Sequence, residues 1–179
     1  TVLDTGRLKQ LMGEELKVDS RNIHAFIIGE HGDSELAVWS EANVSGLALE
    51  DFCRIRKREL RPEDFQRLYR EVRDSAYEII RRKGATYYGI AMAAGRIAEC
   101  IVKDEHSVLP VSVVLDGQYG LEGLALSIPS VVGRNGLEDI LEIPLSWEED
   151  RALRESARQM QAAIGSLDLG AKVPAFPGV

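Results

Sequence analysis

The run Ser107-Val108-Leu109-Pro110-Val111-Ser112-Val113-Val114-Leu115-Asp116-Gly117-Gln118-Tyr119-Gly120 joins a Val- and Leu-rich stretch to closely spaced turn residues. Asp116-Gly117 and Tyr119-Gly120, with Asn135-Gly136 further on, are strong turn dipeptides. Ser107 to Ile143 therefore predicts a three-stranded antiparallel meander. On its N-terminal side the texture is helical. Pro62 suits a first helical position, and Phe65, Leu68, Tyr69, Val72, Ala76, Ile79 and Ile80 follow one stripe. Gly84 interrupts that pattern, which resumes through Tyr87, Ile90, Ala91, Ala94, Ile97, Ala98 and Ile101, so two helices end to end are predicted. On the C-terminal side Ser146-Trp147-Glu148-Glu149 has capping-box spacing and opens a helix through Leu153, Ala157, Met160 and Ile164. The tail after Gly170, with Pro174 and Pro177, reads as loose. At the start of the chain, Leu3, Leu8, Leu11, Met12 and Leu16 recur at helical spacing. A polar turn then leads into His24-Ala25-Phe26-Ile27-Ile28-Gly29, a bulky run suited to a buried strand. The sum is an α+β fold in which long helices pack on a twisted antiparallel sheet.

The 179 residues are 45% hydrophobic, enough for one real core, and no compositional break divides residues 1–179 into two domains. A net charge of -7 disfavours a surface for nucleic acid or anionic membrane, which would need a concentrated basic face. A small molecule or another protein is the expected partner. Cys53 and Cys100 lack CxxC spacing, so neither a disulfide framework nor a zinc site is indicated, and a reducing compartment fits. No apolar run approaches the roughly 20 residues that span a bilayer, and no signal-peptide pattern opens the chain, so the expectation is cytoplasmic.

His31 lies between Glu30, Gly32 and Asp33 on a loop leaving a predicted strand, where functional groups are commonly displayed. Taken alone, it reads first as an ordinary surface histidine, and something more is needed. Asp4 and Arg7 stand three apart on a helix and share a face, an arrangement that also describes an ordinary surface ion pair. Converging on His31, the two would gain a function. A carboxylate behind an imidazole fixes its tautomer and stabilises its protonated form, and a guanidinium can grip a substrate carboxylate through two parallel hydrogen bonds. The three would make a proton-transfer site for a small organic acid. A metal set drawn from His24, His31, Asp33 and Glu30 fits no ligand spacing. Ser34 lacks a GxSxG elbow, and Gly117, Gly120 and Gly123 neither match GxGxxG nor open a helix.

The segments Thr1-Val-Leu-Asp-Thr-Gly-Arg-Leu-Lys-Gln-Leu-Met12 and His24-Ala-Phe-Ile-Ile-Gly-Glu-His-Gly-Asp-Ser-Glu35 resemble bacterial L-lactate dehydrogenases. Lys83-Gly-Ala-Thr-Tyr-Tyr-Gly-Ile-Ala-Met92 and Pro110-Val-Ser-Val-Val-Leu-Asp-Gly-Gln-Tyr-Gly120 match the same family, so the resemblance covers essentially the whole chain. It implies the substrate-binding, C-terminal half of such an enzyme. NAD would be bound mainly by an N-terminal half that this sequence, opening at Thr1 without an initiator Met, does not include. Carried over, the resemblance puts the proton donor for pyruvate reduction at His31, its carboxylate partner at Asp4, the substrate-carboxylate arginine at Arg7 and a pocket threonine at Thr86. It also implies a homotetramer acting in glycolysis and fermentation. Lys9, where many members carry arginine, and His24 would form a site for fructose 1,6-bisphosphate.

Gly6 stands where the family usually has alanine, at a cost of about 1 kcal/mol in helix propensity. Malate dehydrogenases share the histidine loop, but Glu30, Ser34-Glu35 and Gly84-Ala-Thr-Tyr-Tyr88 resemble the lactate branch. NAD-dependent glycosidases of the same superfamily need a metal-binding cysteine and histidine set that nothing around Cys53 or Cys100 supplies. A non-catalytic assembly or effector-binding module is the rival reading, because the stripe from Phe65 to Ile80 exceeds what one small sheet needs to cover. The chain alone is expected to turn over pyruvate negligibly.

Overall fold

The computed structural model describes residues 1–167. Helix α1 (Val2–Leu16) leads to strand β1 (Ile23–Ile28), which pairs antiparallel with β2 (Leu36–Val44), and β2 pairs with the short β3 (Leu47–Ala48). Helices α2 (Leu49–Ile55), α3 (Pro62–Lys83) and α4 (Tyr88–Lys103) follow. Strands β4 (Ser107–Asp116), β5 (Glu122–Gly133) and β6 (Gly136–Ile140) form the predicted meander, and α5 (Trp147–Ser166) closes the described chain. The expectation for the tail after Gly170 lies outside the described residues.

The helix ends follow from local chemistry. Pro62 starts α3, the Asp64 carboxylate accepts the Arg61 N–H at 3.0 Å, and Arg81, Arg82 and Lys83 face the negative end of the helix dipole. Gly84 then takes a φ of 79°, and its N–H donates to the Ile80 carbonyl. That left-handed turn separates α3 from α4. Gly13, by contrast, is required by proximity: a Cβ there would lie 2.8 Å from the Val18 carbonyl oxygen, where the chain folds back over α1.

The α+β class holds, but the sheet is two three-stranded sheets rather than one. Among the described residues their backbone ladders meet at a single bridge, in which Gly29 and Ser127 exchange N–H···O bonds of 2.9 and 2.8 Å. Strands β1 and β2 contribute to two cores, the second of which they share with the other sheet. One gathers Leu8, Met12 and Leu16 of α1, Ile23 and Ile27 of β1, and Leu68 and Val72 of α3. The other gathers Ile28, Leu36 and Val38 with Leu126 and Ile128 of β5 and Leu153 of α5. Successive strand residues point to opposite faces, so Ile27 and Ile28 enter different cores. Full burial of each contributes about 1.5–3 kcal/mol. The loop carrying His31 leaves β1 where the two cores meet.

Strands β2 and β3 and helix α2 were not predicted. In β2 the polar pair Ser40-Glu41 interrupts the apolar run, and the β1–β2 register shifts between His24 and Phe26. A bulge of that kind erases the alternation by which a half-buried strand is recognised. Both cysteines are buried free thiols. Among the described residues no helix is long and apolar enough to cross a membrane.

Candidate active site

The loop after β1 is pinned from three sides. Gly29 has a φ of 93°, and a Cβ there would lie 2.9 Å from the Ser156 hydroxyl of α5. The Glu30 N–H donates to that same hydroxyl at 2.8 Å. The Glu30 carboxylate folds across Gly32 and accepts from the Ser34 hydroxyl at 2.7 Å. From α3, Tyr77 donates to Asp33 at 3.0 Å and Tyr69 donates to the Glu35 carbonyl. His31 is thus held by backbone and neighbours while 63% of its own side chain stays exposed.

Behind the ring stands Asp4, its side chain 4% exposed, in the first turn of α1. One carboxylate oxygen, Oδ1, accepts from Arg7 Nη1 at 2.9 Å. The other, Oδ2, lies 2.9 Å from His31 Nδ1, close enough for an ion pair, but no donor is aligned with it. Burial pushes the Asp4 carboxyl upward, yet His31 and Arg7 outweigh it and hold Asp4 below the ordinary carboxylate range. The Asp4 carboxylate, with Glu35 second, raises the His31 pKa to about 9 against the effect of desolvation. At neutral pH the imidazole therefore carries its proton.

The structure brings the four predicted site residues around one cavity of about 370 Å³, lined by Asp4, Arg7, His31 and Thr86 together with Leu3 and Glu35. The i, i+3 pair that the sequence allowed between Asp4 and Arg7 is real, and it also reaches His31. Arg7 gives only one of its donors to Asp4, and a guanidinium has five. Thr86 lies exposed in the α3–α4 connection. Arg73 and Tyr77 of α3 also line the cavity and were not foreseen. Neither was Glu35, which was quoted in the motif without a role. Its spacing of four from His31 was visible, but its burial depends on α3 packing over the loop.

Other sequence-predicted groups stand apart. Lys9 is half-buried on α1, with its ammonium pKa lowered by desolvation, while His24 is exposed on β1. Among the described residues, no hydrogen bond or ion pair joins the two. The metal set considered from sequence, His24, His31, Asp33 and Glu30, does not gather. Potential ligand atoms instead cluster as Asp4, His31 and Glu35, and as Asp104, His106 and Glu138. In the first cluster the Arg7 guanidinium already neutralises Asp4, which opposes a cation. Gly117, Gly120 and Gly123 have positive φ around the β4–β5 turn, and a Cβ on any of them would meet open space. They are turn glycines rather than a close-approach cradle for a pyrophosphate. With no parallel strand pair among the described residues either, these residues do not fit a dinucleotide site. A separate, larger groove of about 820 Å³ runs between α1, α3 and α4, lined by Leu3, Leu11, Ile79 and Met92 among others.

A buried carboxylate shared by an imidazole and a guanidinium, on an α+β frame of this topology, defines a class of proteins. The chain belongs to the lactate/malate dehydrogenase family, whose alpha/beta C-terminal domain model matches residues 1–168. Within that family, the relatives to which it is similar include L-lactate dehydrogenases. It is 48% identical over 169 residues to the L-lactate dehydrogenase of Acetivibrio thermocellus, covering 94% of this chain and 53% of that protein. With the L-lactate dehydrogenase of Lacticaseibacillus casei it shares 45% identity over 164 residues, covering 92% and 50%. The crystal structure of the minor L-lactate dehydrogenase from Enterococcus mundtii in its ligands-bound form superposes with a TM-score of 0.88 at 38% identity, covering 94% of this chain and 54% of that one. The chain spans about half the length of the curated relatives it matches.

Proposed function

We propose that this chain is the substrate-binding and proton-transfer part of an L-lactate dehydrogenase that interconverts pyruvate and L-lactate. The observation that carries the reading is the single buried Asp4 carboxylate, 2.9 Å from both Arg7 Nη1 and His31 Nδ1 at the edge of one cavity. Nδ1 is turned to Asp4, so Nε2 is the nitrogen left to give a proton to a carbonyl oxygen. Arg7 keeps donors for a substrate carboxylate, which it can take as a planar, two-bond pair. Thr86 and Leu3 border the space left for the rest of a small 2-oxo acid. NAD, which the family resemblance implies as the redox partner, would be held by residues other than these. A homotetramer in the cytoplasm, working in fermentative glycolysis, follows from the same resemblance. So does activation by fructose 1,6-bisphosphate through Lys9 and His24.

The test is NADH oxidation with pyruvate, measured on this chain alone and again after adding the N-terminal half of the Acetivibrio thermocellus relative. Activity is expected only after addition, with pyruvate preferred over oxaloacetate. His31→Asn should lower the reconstituted rate by roughly 10²–10⁴, the usual loss when a positioned general acid is removed. A rate insensitive to that substitution would remove His31 from the chemistry. Preference for oxaloacetate would move the reading to the malate branch, and the same assay with and without fructose 1,6-bisphosphate reads the effector.

A further inference from the structure

Glu35 is the buried acid that the proton-transfer step does not use. Its side chain is 3% exposed, Oε2 lies 3.9 Å from His31 Nδ1, and Oε1 has no hydrogen-bond partner. A buried carboxylate without a partner is unfavourable unless a nearby charge compensates it. The charged and titratable groups around it come from every packed element: the Thr1 amino group, Asp4 and Arg7 from α1, Asp33 from its own loop, and Tyr69, Arg73 and Tyr77 from α3. The two guanidiniums are engaged elsewhere, Arg7 with Asp4 and Arg73 with Asp74, each at 2.9 Å. Glu30 is turned away, bonded to Ser34. The Thr1 amino group donates to the Pro110 carbonyl at 3.2 Å and to the Ser127 hydroxyl at 3.1 Å, which leaves His31 as the cation among these that pairs with Glu35.

We infer that Glu35 is a second positioning carboxylate for His31, flanking Nδ1 together with Asp4 so that the protonation of the imidazole depends on two buried acids. The backbone fixes it there. The Glu35 N–H donates to the Gly32 carbonyl at 3.3 Å, and its own carbonyl accepts from Tyr69, so the residue is anchored in the loop that presents His31. Burial pushes the Glu35 carboxyl above its ordinary range, while His31 pulls it back. The same coupling, seen from the other side, places Glu35 second only to Asp4 among the causes that raise His31. The inference rests on the reading of His31 as the proton donor.

The chain has three histidines, His24, His31 and His106, so imidazole nitrogen resonances can be followed individually by NMR as pH is varied. In Glu35→Gln, which keeps shape and removes charge, the His31 titration should fall by about one pH unit. Asp4→Asn should lower it further. An unchanged His31 titration in folded Glu35→Gln overturns the inference. Should that variant not fold, the unmodified chain still decides the matter. The carboxyl carbon of Glu35 and the nitrogens of His31 should share an inflection, and independent curves overturn the inference. In the reconstituted enzyme the limb of the kcat/KM profile assigned to His31 should move with the NMR value, whereas a mere packing role would lower kcat and leave the limb in place. The NMR measurement needs no turnover, so a coupled pair in a chain that never reconstitutes would count against the lactate reading and leave the coupling standing.

Discussion

Asp4 connects the two polar partners of the site, and its carboxylate is the largest cause that raises the His31 pKa. His31 binds its proton more tightly in the native state than in the unfolded chain, with a pKa raised to about 9 by Asp4 and then Glu35. Its contribution to stability is therefore fully present below the ordinary histidine range and is lost as pH rises through about 9. Asp4 runs the other way: held below the ordinary carboxylate range, it contributes at neutral pH and loses that contribution as pH falls. Glu35, raised by burial, favours the folded state while protonated and weakens it as it ionises. Thermal melts at about pH 7 and about pH 9.5 should show Tm falling across the interval, and His31→Asn should flatten the fall. An equal fall in both proteins would mean that other groups dominate. At this scale most of the site was legible. Asp4 and Arg7 announced a shared helix face by their spacing, and the family motif carried His31 and Thr86. Glu35 was on the page as a letter but not as an acid with work to do, because only the packing of α3 over the loop removes it from water.

The first turn of α5 ties the helix to the neighbouring sheet. Ser146 and Glu149 form a reciprocal cap, with the Ser146 N–H donating to the Glu149 carboxylate at 2.8 Å and the Glu149 N–H donating to the Ser146 hydroxyl at 3.3 Å. The same carboxylate also accepts from the Ser40 N–H at 3.0 Å and from its hydroxyl at 2.5 Å. Ser146→Ala removes one cap bond and should cost about 1 kcal/mol. Glu149→Ala leaves donors of both Ser40 and Ser146 without their acceptor and should cost about 2–4 kcal/mol. Urea unfolding compares the two, and equal losses would show that the tie to β2 contributes nothing. The capping-box spacing made the helix start readable from sequence, as Pro62 and Gly84 did for α3. The tie to Ser40 was not readable, since it spans from β2 to α5 and Ser40 itself sits where the strand's alternation breaks. Short α2 fell below the length at which a periodic stripe can be counted.

Across the whole molecule, burial is uneven. Strands β1 and β5 and one face of α1 are well covered, while Ile90, Met92 and Val102 on α4 are 55%, 76% and 79% exposed. Leu68→Ala, in the core under α3, should cost about 2–5 kcal/mol, and Met92→Gln, on the open groove, should change stability by no more than about 0.5 kcal/mol. Comparable losses on denaturation would place Met92 in a core after all. The expectation of surplus apolar surface from Phe65 to Ile80, on α3, came from counting its stripe, and that much a sequence can give. It could not show that the apolar residues divide into two cores, because the division depends on which face each residue of β1 presents. That division has a thermal consequence. With Ile27 committed to one core and Ile28 to the other, loosening either core releases the Gly29–Ser127 joint. The weaker of the two halves thus governs how long the imidazole stays in register with its carboxylates on heating, and the His31 titration should revert toward that of a free imidazole before helical signal is lost.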